Sequence, residues 1–281
     1  MSWRQRLYCY KRGYFQLGPL KATSGDIFGL YPRSITDSSV EHIIVYPRIY
    51  TIAQLGIPSL HPMGDTRTDR RIFTDPTRII GVRDYTPHDS LRHVHWKATA
   101  RHQDLQVKIF ESTTTLKLAI FLAIDSFKYG GIFKEDDFEL GISTTASIIN
   151  HVTEQGNAVG MYINTRLADT DQAVRILPGS GTGQLVTLLE ILAKVMPYSS
   201  GSFEELLENE RRNLPWGTTL IIILAGSTPS LNSLLYNLKE NGHKLLVLQV
   251  GDDKTNNPDN TIPWHIVRNP RDIMNISTRE K

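Results

Sequence analysis

From residue 116 onward, short and wholly apolar runs alternate with amphipathic stretches, and this rhythm restricts the fold more than any other feature of the chain. The runs LAIFLAI (118–124) and LIIIL (220–224) are rich in β-branched residues. They fall well short of the ~20 apolar residues that a membrane-spanning helix needs, so they read as buried strands. Between them, DDFELGISTTASIINHVTEQG reads as an amphipathic helix closed by Gly156, NAVGMYIN as a strand, and GQLVTLLEILAKVM as a helix with leucines at helical spacing. SFEELLENERRN follows as a second helix, TTLIIILAG as a strand, SLNSLLYNLKENG as a helix stopped by Gly242, and HKLLVLQVG as a strand. Strands alternating with helices through short loops imply an α/β fold: a mostly parallel sheet covered by helices on both faces.

Upstream the rhythm is different. YFQLGPLKA and HIIVYPRIYTI read as strands punctuated by Gly13, Gly18-Pro19, Gly25-Asp26 and Pro32. Residues 61–78 are polar and dotted with Pro and Gly, the composition of a mobile excursion. IIGVRDY is extended, DSLRHVHWKATARHQ reads as a helix with Asp89 as its N-cap, and LQVKIFEST as a strand. The expected division is a smaller β-rich segment over 1–115, with the signature helix near 89–102, and an α/β domain over 116–281.

Hydrophobic residues make up 40% of the 281-residue chain and charged residues 21%, which is the balance of a soluble globular protein. One cysteine, Cys9, excludes an internal disulfide framework and a cysteine-rich zinc site. The start MSWRQRLYCYKRGYF lacks the apolar core of a secretory signal. Charge is uneven: residues 1–115 carry 16 Lys+Arg against 10 Asp+Glu, and residues 116–281 carry 15 against 19, so +6 and −4 make up the net +2. The basic residues are scattered rather than clustered among aromatics, which speaks against a nucleic-acid surface.

In an open α/β sheet, ligands gather at the carboxyl ends of the strands. The strand from 118 delivers Asp125-Ser126-Phe127-Lys128-Tyr129 to that edge. An adhesion-type metal site requires Asp-x-Ser-x-Ser there, because hard cations demand several oxygen donors. Here Phe127 and Tyr129 replace both serines, and LIIIL ends in Ala225-Gly226-Ser227, where another aspartate is usual. The metal site is therefore degenerate, no metal or other cofactor is expected, and Asp125 reads as a carboxylate capping the next turn. PGSGTGQL (178–185) precedes a helix, but Gln184 stands where a phosphate loop has its lysine. His88, His93 and His95 cluster beside Asp84 and Asp89. On one helix, however, positions two apart point to different faces. No nucleophile elbow or paired carboxylates stand out, and an enzyme reading finds no support.

The densest signal is GVRDYTPHDSLRHVHWKATARHQDLQVKIFE (81–111), in which Arg83, Asp84, Asp89, His95, Trp96, Lys97 and Arg101 fall within nineteen residues. Arg83 or Arg101 is placed to pair with Asp89, and Trp96 to offer an arginine a stacking face. Such a cluster serves as a polar network, as a partner surface, or as both.

This stretch closely resembles the signature of the bacterial and archaeal family called domain of unknown function 58. That pattern runs Gly-x-Arg-x-Tyr-x-x-Gly-Asp, Ile/Val-x-Trp-Lys-x-Ser/Thr-Ala-Arg and Leu-x-Val-Lys-x-Phe-Glu. Gly81, Arg83, Tyr85, Asp89, Val94, Trp96, Lys97, Ala98, Thr99, Ala100, Arg101, Leu105, Val107, Lys108, Phe110 and Glu111 match it, with His88 replacing the second glycine. KRGYFQLGPLKATSGDIFGLY is similar to upstream family segments, with Ile27 where proline is usual. The resemblance implies a von Willebrand factor A-like α/β domain after a β-rich segment. It also implies work beside a MoxR-type AAA+ ATPase in maturing or assembling other proteins. Family members often begin with two membrane helices, which look absent from this chain; the implied location is cytoplasmic, at the inner face of the membrane in a longer form.

The function expected is thus a non-catalytic adaptor whose surfaces are the 83–101 segment (Arg83, Tyr85, Asp89, His95, Trp96, Lys97, Arg101) and the loops around Asp125 and Gly179. Two alternatives remain open. One is a metal-dependent hydrolase or nuclease using His88, His93 and His95; the other is a scaffold binding anionic lipid or nucleic acid through the basic half.

Overall fold

A computed structural model of the chain describes residues 6–25, 28, 32–53, 55, 74–87, 89–112, 116–129, 131–167, 173–215, 217–252 and 261–276. In chain order the elements begin with β1 (Gly13–Leu17), β2 (Leu20–Ser24), β3 (Arg33–Asp37), β4 (Glu41–Val45), β5 (Thr74–Asp84), α1 (Trp96–His102) and β6 (Gln106–Ser112). Then come β7 (Lys117–Leu122), β8 (Lys128–Tyr129), β9 (Ile132–Phe133), α2 (Glu135–Glu154), β10 (Ala158–Arg166), β11 (Ala173–Gly179), α3 (Thr182–Lys194) and α4 (Phe203–Glu210). The chain closes with β12 (Thr219–Leu224), α5 (Pro229–Glu240), β13 (Lys244–Val250), β14 (Trp264–Val267) and α6 (Pro270–Met274).

The apolar runs become the middle of a six-stranded sheet of order β11-β10-β7-β12-β13-β14, parallel at every pairing except the antiparallel edge strand β11. Leu118 to Ile124 and Leu220 to Leu224 are almost entirely removed from solvent. Each fully buried Leu, Ile or Phe contributes about 1.5–3 kcal/mol relative to exposure. Because successive strand side chains point to opposite faces, such runs demand cover on both sides. On one face Ala119, Phe121, Tyr162, Leu220 and Ile222 pack with Phe203 and Leu207 of α4 and Leu231, Leu235 and Leu238 of α5. The other face is covered by α2, with α3 and α6 beside it.

Helix α2 buries Phe138, Ile142, Thr145, Ile149 and Val152 at three- and four-residue spacing. Glu135, Asp136 and Asp137 in its first turn complement the helix dipole. Its buried hydroxyls are satisfied locally: Thr144, Thr145 and Ser147 donate to the carbonyls four residues before them. Gly160 in β10 has to be glycine, since a Cβ there would lie 2.5 Å from the Ile176 carbonyl oxygen of β11.

Two compact units emerge: Met1–His61 with Lys117–Lys281, and Pro62–Leu116. This differs from a division into 1–115 and 116–281, because the first 61 residues join the α/β unit. Arg12 is the most heavily bonded of the residues that join them. Its side chain is only 7% exposed. The guanidinium makes two parallel bonds of 2.9 Å to Glu139 of α2 and donates to the Leu192 and Val195 carbonyls at the end of α3, at 2.6 and 3.0 Å. It also lies over the Phe138 ring, 5.2 Å from the centroid. Strands β1 and β4 form an antiparallel pair against α3, and the Tyr50 amide donates to Ser147 Oγ at 2.9 Å.

Several local readings change in three dimensions. YFQLGPLKA is two strands with different partners, divided at Gly18 (φ 108°), where a Cβ would meet the Ser39 carbonyl oxygen at 2.3 Å. HIIVYPRIYTI is a strand only to Val45. Residues 61–73, most of the expected polar excursion, lie outside the described residues. Among the described residues, no helix is long and apolar enough to cross a membrane.

Replacing Arg12 with Ala removes both the ion pair and the cap of α3. Urea unfolding is expected to show a loss of about 1.5–3 kcal/mol, the range for hydrogen bonds to charged groups, because the Glu139 left behind is 42% exposed and regains water. Lys11→Ala, which breaks an exposed pair with Glu135, is expected to leave the midpoint unchanged.

Candidate functional site

In the unit Pro62–Leu116, β5 and β6 pair antiparallel, with Arg83 opposite Val107 and Asp84 opposite Gln106. After β5 the chain turns: the Asp89 amide donates to the Thr86 carbonyl at 2.9 Å, with Pro87 in the second position where its fixed φ suits a turn. That turn brings Asp89 back onto Arg83. The two guanidinium nitrogens donate to the two carboxylate oxygens at 2.7 and 2.5 Å. The Thr86 amide and hydroxyl add bonds of 2.9 and 2.7 Å. Arg83, with Thr86, holds the Asp89 carboxyl well below the usual carboxylate range. Asp89 in turn raises the guanidinium.

Helix α1 is fastened to this ladder from behind. Val94 forms a bridge with Val107, both 2% exposed, and the His95 amide donates to the Gln106 carbonyl at 2.7 Å. His95 Nδ1 accepts from the Ala98 amide at 3.1 Å and caps the helix. Gln106 returns two bonds, its amide donating to Thr99 Oγ1 (3.0 Å) and its side chain to Asp84 Oδ1 (2.6 Å). At about 100° per residue, Ala98 and Thr99 face inward. Trp96, Lys97, Ala100 and Arg101 share the opposite arc and are exposed.

The sequence offered Arg83 or Arg101 as the partner of Asp89, and Arg83 forms the pair; Trp96, Lys97 and Arg101 lie together on the outer face of α1. Arg101 takes no part in the Asp89 pair, and among the described residues no arginine lies over the Trp96 ring. Tyr85 is anchored by its amide, which donates to the Leu105 carbonyl at 2.8 Å. The expected helix over 89–103 with Asp89 as N-cap is replaced by a 3-10 turn, Leu91–His93, and by α1, seven residues after Asp89. The extended bridge at Val94 breaks the helix between them. His93 and His95 therefore sit on separate elements, and the Nδ1 of His95 is engaged. His88 lies outside the described residues. Among the described residues, no three His, Cys, Asp or Glu side chains come together as metal ligands. Thr86 and Gln106, which brace the cluster, were not singled out from the sequence, although Pro87 signalled the turn that recruits Thr86.

At the carboxyl edge of the large sheet, Asp125 lies in a 3-10 turn after β7, where the strand order reverses between β7 and β12. Its Oδ2 accepts from the Phe203 amide at the start of α4, at 3.1 Å, so it ties a distant helix start to the strand end rather than capping the turn that follows it. Burial, with the nearby Glu204 charge, pushes its carboxyl up. The Ser126 hydroxyl donates to the Ala123 carbonyl (2.6 Å) and accepts from the Ala225 amide (2.9 Å), tying the ends of β7 and β12. Asn164 joins the ends of β7 and β10, its Oδ1 accepting from the Ile124 amide at 2.7 Å.

A divalent cation at this edge, of the kind an adhesion-type site holds, needs roughly six oxygen donors. Phe127 is fully buried against Phe138 instead of facing the edge; the Tyr129 side chain lies outside the described residues. Glu204 is raised by burial but lowered overall by hydrogen bonds from Thr228, Ser202 and Ser230. Ser126 already bonds on both sides. That leaves Asp125 Oδ1 and Ser227 Oγ as buried oxygens without a partner. Two such atoms do not fit a hard cation.

The Gly179 loop is elsewhere. The antiparallel strand β11, unread in the sequence, ends with Gly179 beside Val159 at the start of β10. That places PGSGTGQL at the amino edge of the parallel strands, opposite Asp125. Gln184 donates from Nε2 to the Val159 and Leu177 carbonyls, at 3.0 and 3.1 Å, and fastens the turn.

A family model described as "Protein of unknown function DUF58" matches residues 81–257. The chain is also similar to "Uncharacterized protein YeaD" of Bacillus subtilis (strain 168), 27% identical over 151 residues, which is 53% of this chain and 36% of that protein. The match thus spans about a third of the length of that curated relative.

Two pH profiles test these electrostatics. Asp89 has a folded pKa below its unfolded value, so its stabilisation is present above the ordinary range near 3.8 and is lost as pH falls. Asp89→Asn should lower the melting temperature at pH 7, with the gap to wild type closing in acid. Asp125 is shifted the opposite way, so its ionised form destabilises the fold at pH 7 and not below 3.8. Asp125→Asn, which keeps an acceptor for the Phe203 amide, should melt higher than wild type at pH 7 and alike at pH 3.5.

Proposed function

The chain belongs to the family described as protein of unknown function DUF58, and from that membership we propose that it is a non-catalytic adaptor partnering a MoxR-type AAA+ ATPase. The observation that carries the reading is the construction of the 83–101 segment. A bidentate arginine–carboxylate pair, a histidine cap and a glutamine brace hold a seven-residue helix in one orientation. Its outer face leaves Trp96 67% exposed beside Lys97 and Arg101. An indole presented to solvent on a rigid support costs apolar hydration and gives the monomer no packing. Trp and Arg are the residue types that most often anchor protein interfaces.

The same reading takes the large unit as von Willebrand factor A-like. Support comes from the sheet order β11-β10-β7-β12-β13-β14 with Asp125 following the central strand at the switch point. In this form of the adaptor, recognition runs through side-chain surface and not through a cation, since the edge donors do not fit one. The reading also carries the cytoplasmic location that the resemblance implies. His95, engaged as a helix cap, lends nothing to a hydrolase reading.

Tagged protein incubated in native lysate, with and without ATP and magnesium, and analysed by mass spectrometry, is expected to retain an AAA+ ATPase. Arg101→Ala, folded as judged by circular dichroism, is expected to retain less. Recovery of no ATPase under either nucleotide condition overturns the partnership.

A further inference from the structure

Resting on the reading of the 83–101 segment as a partner surface, we infer that the outer face of α1 docks an acidic protein segment carrying a bulky aliphatic side chain. The helix turns the half-buried Ala98 and Thr99 toward β6 and Trp96, Lys97, Ala100 and Arg101 outward. Just before it, the 3-10 turn adds Leu91, 64% exposed, and Arg92, also exposed. Residues 91–101 thus expose two large apolar side chains, Leu91 and Trp96, together with small Ala100 and the three cations Arg92, Lys97 and Arg101.

Charge commits the occupant. Among the described residues no carboxylate pairs with Arg92, Lys97 or Arg101. By contrast Arg83, in the same unit, is neutralised by Asp89. Asp104, in the turn after α1, is exposed and among the described residues forms no ion pair with them. A face with three uncompensated cations around an indole favours carboxylates at its rim and an aliphatic group on the ring. Exposed ion pairs are individually weak. The anchor is therefore the indole, and the cations set orientation and association rate.

Nucleic acid is the poorer occupant. Affinity for phosphate grows with the number of phosphates neutralised, commonly ~6–10, and the 3-10 turn and α1 together offer three cations. Asp84 and the exposed Asp104 in the same unit add negative charge unfavourable to a phosphate backbone.

Fluorescence anisotropy of the full chain with a labelled ten-residue Glu/Leu peptide tests this, against a Lys/Leu peptide of the same length and a ten-nucleotide thymidine oligomer. The acidic peptide is expected to bind in preference to both, more weakly at higher salt. Trp96→Ala is expected to weaken it by roughly tenfold or more. The Lys97→Glu, Arg101→Glu double variant is expected to lose it and to gain the Lys/Leu peptide, with the melting temperature of each variant unchanged because these side chains are exposed. Equal binding of the two peptides, tighter binding of the oligomer, or unaltered affinity in Trp96→Ala overturns the inference. Failure is separable from that of the ATPase partnership. An ATPase retained equally by the double variant sinks the docking face and leaves the partnership, whereas peptide binding without any recovered ATPase does the reverse.

Discussion

Strands β7 and β12 lie side by side in the centre of the large sheet with essentially no exposed surface, and everything else in that unit answers to their burial. A strand that is apolar on both faces cannot be left at a sheet edge or with one face wet. Helices α4 and α5 close one side and α2 with α3 and α6 the other, each through an apolar stripe at helical spacing. Parallel strands also bring their carboxyl ends to one edge. There the freed backbone groups need partners, and Ser126, Asn164 and Asp125 supply them. The polar residues of that edge are committed to holding the strand ends together, which is why they are poorly placed to hold a cation.

Burial of charge follows the same economy at Arg12. A guanidinium removed from water demands several acceptors in a plane, and Glu139 with the last carbonyls of α3 provides them. A lysine, with its single point charge, would satisfy the helix end or the carboxylate but not both in this geometry. The partial negative charge at the C-terminus of α3 adds to the attraction. With the packing of β1 and β4 on α3 and the Tyr50 bond to Ser147, this residue makes an N-terminal segment with little core of its own part of the α/β unit. The β2–β3 pair beyond it, exposed along both strands, shows how little such a hairpin buries by itself.

In the smaller unit the polar residues brace rather than bury. Asp89 closes a turn through Arg83 and Thr86, His95 caps α1, and Gln106 ties the helix to the ladder. The arrangement fixes where Trp96 points without enclosing it. Rigidity of this kind lowers the conformational cost of binding, and it is the physical link between the densest stretch of the sequence and the adaptor reading.

How much of this was legible depended on range. Apolar runs of strand length, amphipathic helices and their terminating glycines are local signals, and they determined the α/β class, the central strands and α2 to α5. The pairing of Arg83 with Asp89, six residues apart, was within reach for the same reason. Tertiary structure alone decided the rest. The edge strand β11 has a mixed pattern because only one of its sides is paired, so its antiparallel course, and the transfer of the Gly179 turn to the edge opposite Asp125, left no periodic trace. Helix α1 begins at Trp96 rather than after Asp89 because Val94 is drawn into a bridge with Val107, a contact that outweighs local helix propensity. Arg12 finds partners 127 and 180 residues away. Periodicity records whether a side chain is buried; which strand, carbonyl or carboxylate it meets is settled only when distant segments pack.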